Sequence, residues 1–326
     1  MRAVGIAVAS VLFAHPALAI DCTAASSAAE KAICSDPDAR SADAALGKAY
    51  GQLRNSLSAD ASSGLRRSQT EWIRSRDAVC AAPNAIKPLS ECIAVQSRAR
   101  QAFLDGRPRA GDVSDRLFRR VFISRPAKNG SVDLSISAIE FVGNGDWQSR
   151  LNVLLDSAVK RAISDAEAGK ENPGPHDNYE VSLEIDVPYA SSRLVSVHVT
   201  GGSYLGQAHP DSGSYNINFD RTLNRQLRFD DLLDEAGAKP IFEFCRSEVA
   251  KQKKQRSDDP GHWKDDVELT EVSENSKDLK SWSFDATAAV IDYGTYGFGG
   301  YGQCMCSCTI PYSMLRPMVK KDFPLP

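Results

Sequence analysis

The residues with the most chemical potential lie in 204–233, YLGQAHPDSGSYNINFDRTLNRQLRFDDLL. His209 is followed by Pro210 in a loop that also holds Gly206, so a stiff, exposed backbone can present its ring to a partner or use it as acid or base. The plainer reading is a loop histidine bonded to nearby backbone, and no nucleophile or paired carboxylate accompanies it at a diagnostic spacing. A second stretch, 292–302, is DYGTYGFGGYG, with Tyr293, Tyr296, Phe298 and Tyr301 among five glycines. It lacks the Lys-Ser/Thr ending of a phosphate loop. Large amphipathic rings on an adaptable backbone suit recognition, although glycine also serves tight turns.

The eight cysteines form two sets of four: Cys22, Cys34, Cys80 and Cys92, then Cys245, Cys304, Cys306 and Cys308. The late set is compatible with a four-thiolate zinc site, but residues 1–19 read as a secretory signal peptide cut after Ala19, and export favours disulfides. No metal, cofactor or catalytic group is expected. Cys245 is expected to bond one of Cys304, Cys306 and Cys308.

These residues must be carried by two different kinds of element. Leu46, Tyr50, Leu53 and Leu57 share one helical face, and Leu65, Trp72, Ile73 and Val79 share another, with 59–63 as a turn between the helices. A helical hairpin of this kind places Cys34 beside Cys80 and leaves Cys22 for Cys92. Gln69, Trp72, Arg76 and Asp77 form a helical stripe, read as packing with a charged edge, and Arg98 and Arg100 are expected in solvent. Residues 105–115, DGRPRAGDVSD, have no apolar period and read as a linker. Beyond them, alternation at 132–142, 179–187, 194–200, 214–219 and 284–291 marks strands, and 147–168 and 240–255 mark amphipathic helices. Helices and strands do not alternate regularly, so the fold class is α followed by α+β, with an antiparallel sheet that has one solvated face and helices packed against it.

The chain has 326 residues and a formal charge of -3, without a basic run to suggest nucleic acid or an apolar run suited to stable membrane insertion. Residues 21–105 hold 11 Lys+Arg against 10 Asp+Glu, whereas 116–326 hold 25 against 30, so the acidic excess falls in the second part.

Residues 21–104 resemble the N-terminal domain of LprI-type lysozyme inhibitors. The pattern is Cys22, Ile33-Cys34 with Asp36-Pro37, Tyr50, Leu53, Gln69-x-x-Trp72-Ile73-x-x-Arg76-Asp77, Cys80, Cys92 and Arg98, and it departs from the family where Asp38-Ala39-Arg40 follows Asp36-Pro37. Residues 116–326 resemble the C-terminal domain shared by RsiV-type anti-sigma factors and PdaC-type cell-wall deacetylases. That likeness rests on Gly206, Ala208, His209 and Pro210, on Phe219-Asp220, on 230–233, and on 284–315 with its Tyr/Gly loop and Ile310-Pro311-Tyr312. The domains expected are therefore a signal peptide at 1–19, a disulfide-linked helical domain at 20–104, the linker at 105–115 and the α+β domain at 116–326.

Together the resemblances imply a periplasmic or secreted binding protein, not an enzyme, whose partner is a lysozyme or related muramidase. Tyr204, His209, Asp211, Tyr293, Tyr296, Phe298 and Tyr301 are the residues expected at the contact. The alternative is a structural or adaptor envelope protein. A wall-modifying enzyme fits poorly, because His176, His198, His209 and His262 are scattered without metal-ligand spacing.

Overall fold

The computed structural model describes residues 20–82, 87–127, 132–171, 179–206, 209–256, 267–294, 298 and 305–326. The expected signal peptide, Tyr296, Tyr301 and Cys304 lie outside them. A helical, disulfide-bonded N-terminal region is followed by an α+β domain with a mostly antiparallel sheet packed by helices. Two compact units result. The first holds the described residues up to Ser56 with Arg76–Gln101; the second holds Leu57–Ser75 and Ala102–Pro326.

In the first unit, α1 (Ala28–Ser35) opens with a capping box. Ser27 Oγ accepts the Glu30 amide at 3.1 Å, and Glu30 Oε2 accepts the amides of Ser27 at 2.8 Å and Ser26 at 2.7 Å. These bonds, the Ser27 amide foremost, pull the Glu30 carboxyl down to about 2. A depressed acid stabilises the fold above its unfolded pKa, and that contribution is lost as pH falls through the folded value. Glu30→Gln is therefore expected to flatten the acid limb of thermal melting between pH 4.5 and about 2. An unaltered limb would show that the box contributes nothing.

Pro37 forces Asp36 into extended backbone (φ -114°, ψ 118°), which stops α1 and starts α2 (Pro37–Ser56). α2 buries Ala39, Ala42, Leu46, Ala49 and Leu53, a strict three-and-four spacing. α3 (Ala59–Cys80) and α4 (Leu89–Asp105) follow. Ile33 packs with Cys80 and Ile93 in one small core, and Ala39 and Ala42 pack with Ala94 in another.

The disulfides differ from the nested pairing expected. Cys22 bonds Cys34 and Cys80 bonds Cys92, with Cα–Cα distances of 5.5 and 5.6 Å, so neither Cys34–Cys80 nor Cys22–Cys92 forms. The nested pairing required a hairpin turn at 59–63. Instead only Leu57 and Ser58 separate α2 from α3, and Ala59 is already helical. Each bond staples a local reversal: the turn at Asp21 that leads into α1, and the connection from α3 to α4. Closing a loop of 12 residues this way is worth about 3 kcal/mol by loop-closure entropy.

The α3 stripe also shifts. Leu65, Ser68, Arg76 and Cys80 are buried, whereas Ile73 and Val79 are exposed at 39% and 57%. Arg100, expected in solvent, is buried at 3% exposure.

In the second unit, residues 57–75 pack against the sheet rather than only within a helical domain. A Cβ on Gly64 would sit 3.0 Å from Phe122 Cβ, Arg67 pairs with Asp133, and Ser135 Oγ donates to Glu71 at 3.0 Å. The sheet comprises β1 (Ala110–Gly111), β2 (Phe118–Arg125), β3 (Asp133–Phe141), β4 (Glu180–Ala190), β5 (Leu194–Tyr204), β6 (Asp211–Asp220) and β7 (Arg225–Gln226), with α5 (Asp146–Glu171) between β3 and β4. Its order is β2-β3-β4-β5-β6-β7, with β1 on the end of β4. β3 and β4 are parallel, which is why a helix must cross between them; the other neighbours on this path are antiparallel. Asn152 fixes α5 to β3 by accepting the Phe141 amide at 2.8 Å and donating to its carbonyl at 2.9 Å.

The expected linker is docked. Arg109 N donates to Val187 O at 2.9 Å, Ala110 and Gly111 pair with Tyr189 and Ala190, and the Arg109 guanidinium pairs with Asp186. Gly111 has φ +119°, and a Cβ there would overlap the Ala190 carbonyl, so this close parallel contact needs glycine.

After β7 come α6 (Phe229–Leu232), α7 (Glu235–Arg256) and α8 (Leu269–Ser276), a 3-10 turn (Leu279–Ser281), and a second sheet of β8 (Trp282–Phe284), β9 (Ala288–Asp292) and β10 (Ser307–Pro311), closed by α9 (Tyr312–Leu315). The strand expected over 284–291 is a hairpin, because Asp285 Oδ1 accepts the amides of Thr287 at 2.7 Å and Ala288 at 2.9 Å and turns the chain. Trp282, Phe284, Phe298, Cys245 and Cys308 anchor the core of this part. Cys245 on α7 bonds Cys308 on β10.

Candidate functional site

The β5–β6 hairpin carries the first candidate loop. Tyr204 ends β5 and packs its ring 6.4 Å from that of Tyr179; Asp211 begins β6, exposed, opposite Ser203. Gly206 has φ +93° with Tyr179 beside it, so the turn leaves β5 at a position that only glycine fits without strain. His209 stands exposed at the turn, its Nδ1 3.4 Å from the Pro210 carbonyl. Tyr204, His209 and Asp211 therefore share one hairpin end.

The second candidate loop is different. Tyr293 and Phe298 are 7% and 2% exposed, their rings meet edge-on at 4.8 Å, and the Tyr293 hydroxyl lies 3.0 Å from Ser276 Oγ. Burial pushes the Tyr293 hydroxyl up to about 12. These two rings hold the loop to the core and offer a partner no surface, a correction to the expected contact set. Composition alone does not separate an exposed ring from a buried one. Asp292, at the start of the same loop, ties it to the sheet by accepting the Ser214 hydroxyl at 2.8 Å.

One polar arrangement is formed only by strand pairing. β5 and β6 pair Ser196 with Asn218, His198 with Asn216 and Thr200 with Ser214, which puts all six on one face. Asn216 Nδ2 donates to the Lys280 carbonyl at 3.0 Å, so its Oδ1 is the acceptor for His198 Nδ1–H at 2.8 Å. The ring's other nitrogen then accepts the Thr200 hydroxyl at 3.0 Å. A hydroxyl–imidazole–amide relay results, in the order that acyl-transfer sites use. Both ring nitrogens are engaged, so the relay fixes the imidazole's orientation and tautomer.

Deeper along the same face, Asn218 bridges to the Leu279 and Trp282 carbonyls, and Phe284 N donates to Ser196 Oγ at 3.3 Å. Beside His198 on β4 stands Asp186, whose charge, followed by those of Glu184 and Asp285, raises the Arg109 guanidinium further above its usual range. The signal for this face was the alternation S-V-H-V-T on β5 and S-Y-N-I-N on β6, read as a solvated surface. Ser196, Asn216 and Asn218 are in fact buried. Among the described residues no cluster of three His, Cys, Asp or Glu could hold a metal ion.

Two grooves border β6. One, of about 530 Å³, is lined by Arg150, Arg228, Lys277 and Lys280 together with Arg225, which is bidentate to Asp231 at 2.7 and 2.8 Å. Chiefly through Arg225, the Asp231 carboxyl is held down at about 2. The other, of about 660 Å³, lies between α5 and the Gly201/Gly213 end of β5 and β6. Among the described residues no helix is long and apolar enough to cross a membrane.

Residues 22–104 match the family model of the lysozyme inhibitor LprI. No curated protein matches the chain. Among solved structures the chain resembles a member of the DUF3298 family from Bacteroides fragilis, at 16% identity over 63% of this chain and 94% of that one, with a TM-score of 0.45. It also resembles a DUF3298 family protein from Pseudomonas aeruginosa, at 18% identity over 64% of this chain and 96% of that one, with a TM-score of 0.42.

Proposed function

We propose that this is an exported binding protein that captures, and inhibits or senses, lysozyme-type muramidases through its N-terminal helical unit. The observation that carries the reading is the match of residues 22–104 to the lysozyme inhibitor family. The unit's surface supports it. Val79 and Val95 are exposed at 57% and 44%, one residue before Cys80 and one helical turn after Cys92, so the Cys80–Cys92 bond holds two apolar side chains outward at one junction. Exposed apolar groups on a disulfide-fixed frame lose little entropy on docking, which favours affinity. On the second unit the exposed His209 turn, flanked by Tyr204 and Asp211, remains the proposed accessory contact, and the acidic excess of residues 116–326 attracts a cationic partner in a salt-dependent way.

Titration of the oxidised protein into c-, g- and i-type lysozymes by calorimetry, with muramidase activity followed alongside, tests the reading. Saturable binding to at least one class is expected. Val79→Asp combined with Val95→Asp should weaken it by about tenfold or more, the loss of roughly 1.4 kcal/mol or more of contact free energy. His209→Ala should have a smaller effect. Absence of binding to all three classes would overturn the proposal and favour a structural or adaptor role.

A further inference from the structure

The β6 strand has an outer edge that β7 covers only in part. β7 pairs with Phe219 and Asp220, and Leu227 N donates to the Asn218 carbonyl at 2.8 Å. Backbone groups alternate sides along a strand, so the main-chain N–H and C=O of Asn216 and Ser214 point the same way as the Asn218 carbonyl, away from β5. Among the described residues no strand pairs with β6 there. An unpaired edge is a template for another strand. Its sequence around the opening, DSGSYNI, has a single charge, at its end.

We infer that the open edge of β6 pairs antiparallel with the same edge of a second copy of this chain, about a two-fold axis at Ser214. The register follows from the side chains. With Ser214 facing Ser214 of the other copy, Gly213 faces Tyr215 across the interface, and by symmetry Tyr215 faces Gly213. Tyr215 is 37% exposed, a partly covered ring on the groove side of the strand. Gly213 is exposed, with nothing within 4 Å of where a Cβ would stand. Its β5 partner Gly201 is nearly as open, with only the Ser182 carbonyl at 3.7 Å. Neither glycine has a positive φ, so the backbone does not demand glycine at either place.

Two opposed glycines in a strand weaken it unless something covers the bare backbone, and a cross-strand aromatic does so. The groove of about 660 Å³ beside them, walled by Arg161 and Asp165 of α5, accommodates the incoming ring. Arg161 already lies close enough to act electrostatically on the Tyr215 hydroxyl. The vacancy and the ring that fills it are two residues apart on one strand. That spacing makes the edge complementary to itself, whereas an arbitrary peptide would need to supply its own aromatic in register.

Sedimentation equilibrium of the full oxidised chain over a concentration series tests the inference. The weight-average mass is expected to climb toward twice the monomer. Ser214→Pro removes the outward N–H, which an edge strand tolerates, together with the hydroxyl that Asp292 accepts, and Gly213→Val fills the slot without meeting a neighbour in the monomer. Both should remain monomeric with unchanged far-UV circular dichroism, and Gly213→Val, which breaks no bond within the monomer, should also melt as the wild type does. Ser214→Cys should form an intermolecular disulfide under mild oxidation, since antiparallel partners exchanging both hydrogen bonds stand about 5.5 Å apart at Cα. A wild-type chain that stays monomeric throughout, or variants that associate as the wild type does, would overturn it.

Discussion

Removing the Cys245–Cys308 bond by paired serine substitution is expected to lower the stability of the second unit by about 4 kcal/mol. The bond spans 63 residues, so breaking it returns more freedom to the unfolded chain than breaking either 12-residue staple of the first unit. It also joins α7 to β10 across a core in which both cysteines are 0% exposed, so the replacement hydroxyls would be buried where sulfur was packed. Urea unfolding followed by near-UV circular dichroism, which reports on Trp282 and its ring neighbours, should show the second unit's midpoint falling. A loss below about 1 kcal/mol would mean that the unfolded state is held together by something other than this bond. The same bond disposes of the four-thiolate zinc alternative, since Cys245, Cys306 and Cys308 are all engaged in disulfides.

The sequence made the strands of the second unit readable because each is half-buried and alternates cleanly, as in 194–200. It could not say what lay over the polar side. Ser196, His198, Asn216 and Asn218 have the pattern of a wet face, and a second sheet brought from residues 282–311 covers part of it. The disulfides of the first unit failed for a related reason. Helical periodicity identified α2 and α3 but contains no information on which helix ends meet, and each early cysteine bonds the one twelve residues along rather than one across a hairpin. Tyr293 and Phe298 were misplaced because a Tyr/Gly composition serves a recognition loop and a ring-anchored loop equally well. His209 stands exposed at a turn as expected, since the Gly and His-Pro signals there are local and owe little to distant packing, whereas Asp211, expected in the loop, is already the first residue of β6 and pairs with Ser203.

Asn218→Asp is expected to destabilise the second unit by about 3–5 kcal/mol at neutral pH, although the two side chains have the same shape. Asn218 is 3% exposed and fully engaged: Oδ1 accepts the Ser196 hydroxyl at 2.8 Å, and Nδ2 donates to the carbonyls of Leu279 at 3.0 Å and Trp282 at 2.7 Å. Through those two carbonyls it joins the large sheet to the turn that begins the small one. A carboxylate in its place turns the donor into a second acceptor, aims it at two carbonyl oxygens and buries an unpaired charge. Asn218→Ala removes the donors without adding the charge, so it should cost less. The difference between the two variants is therefore electrostatic and depends on pH. Burial against carbonyls raises the folded-state pKa of the introduced acid above its unfolded value near 4, so the extra penalty grows as pH rises past that value and is relieved below it. Urea midpoints of both variants at about pH 4 and about pH 7 should converge at the lower value and separate at the higher. If the aspartate variant is no less stable than the alanine variant at pH 7, Nδ2 is not the donor that couples the sheets, and the polar face between them must be held by its remaining bonds.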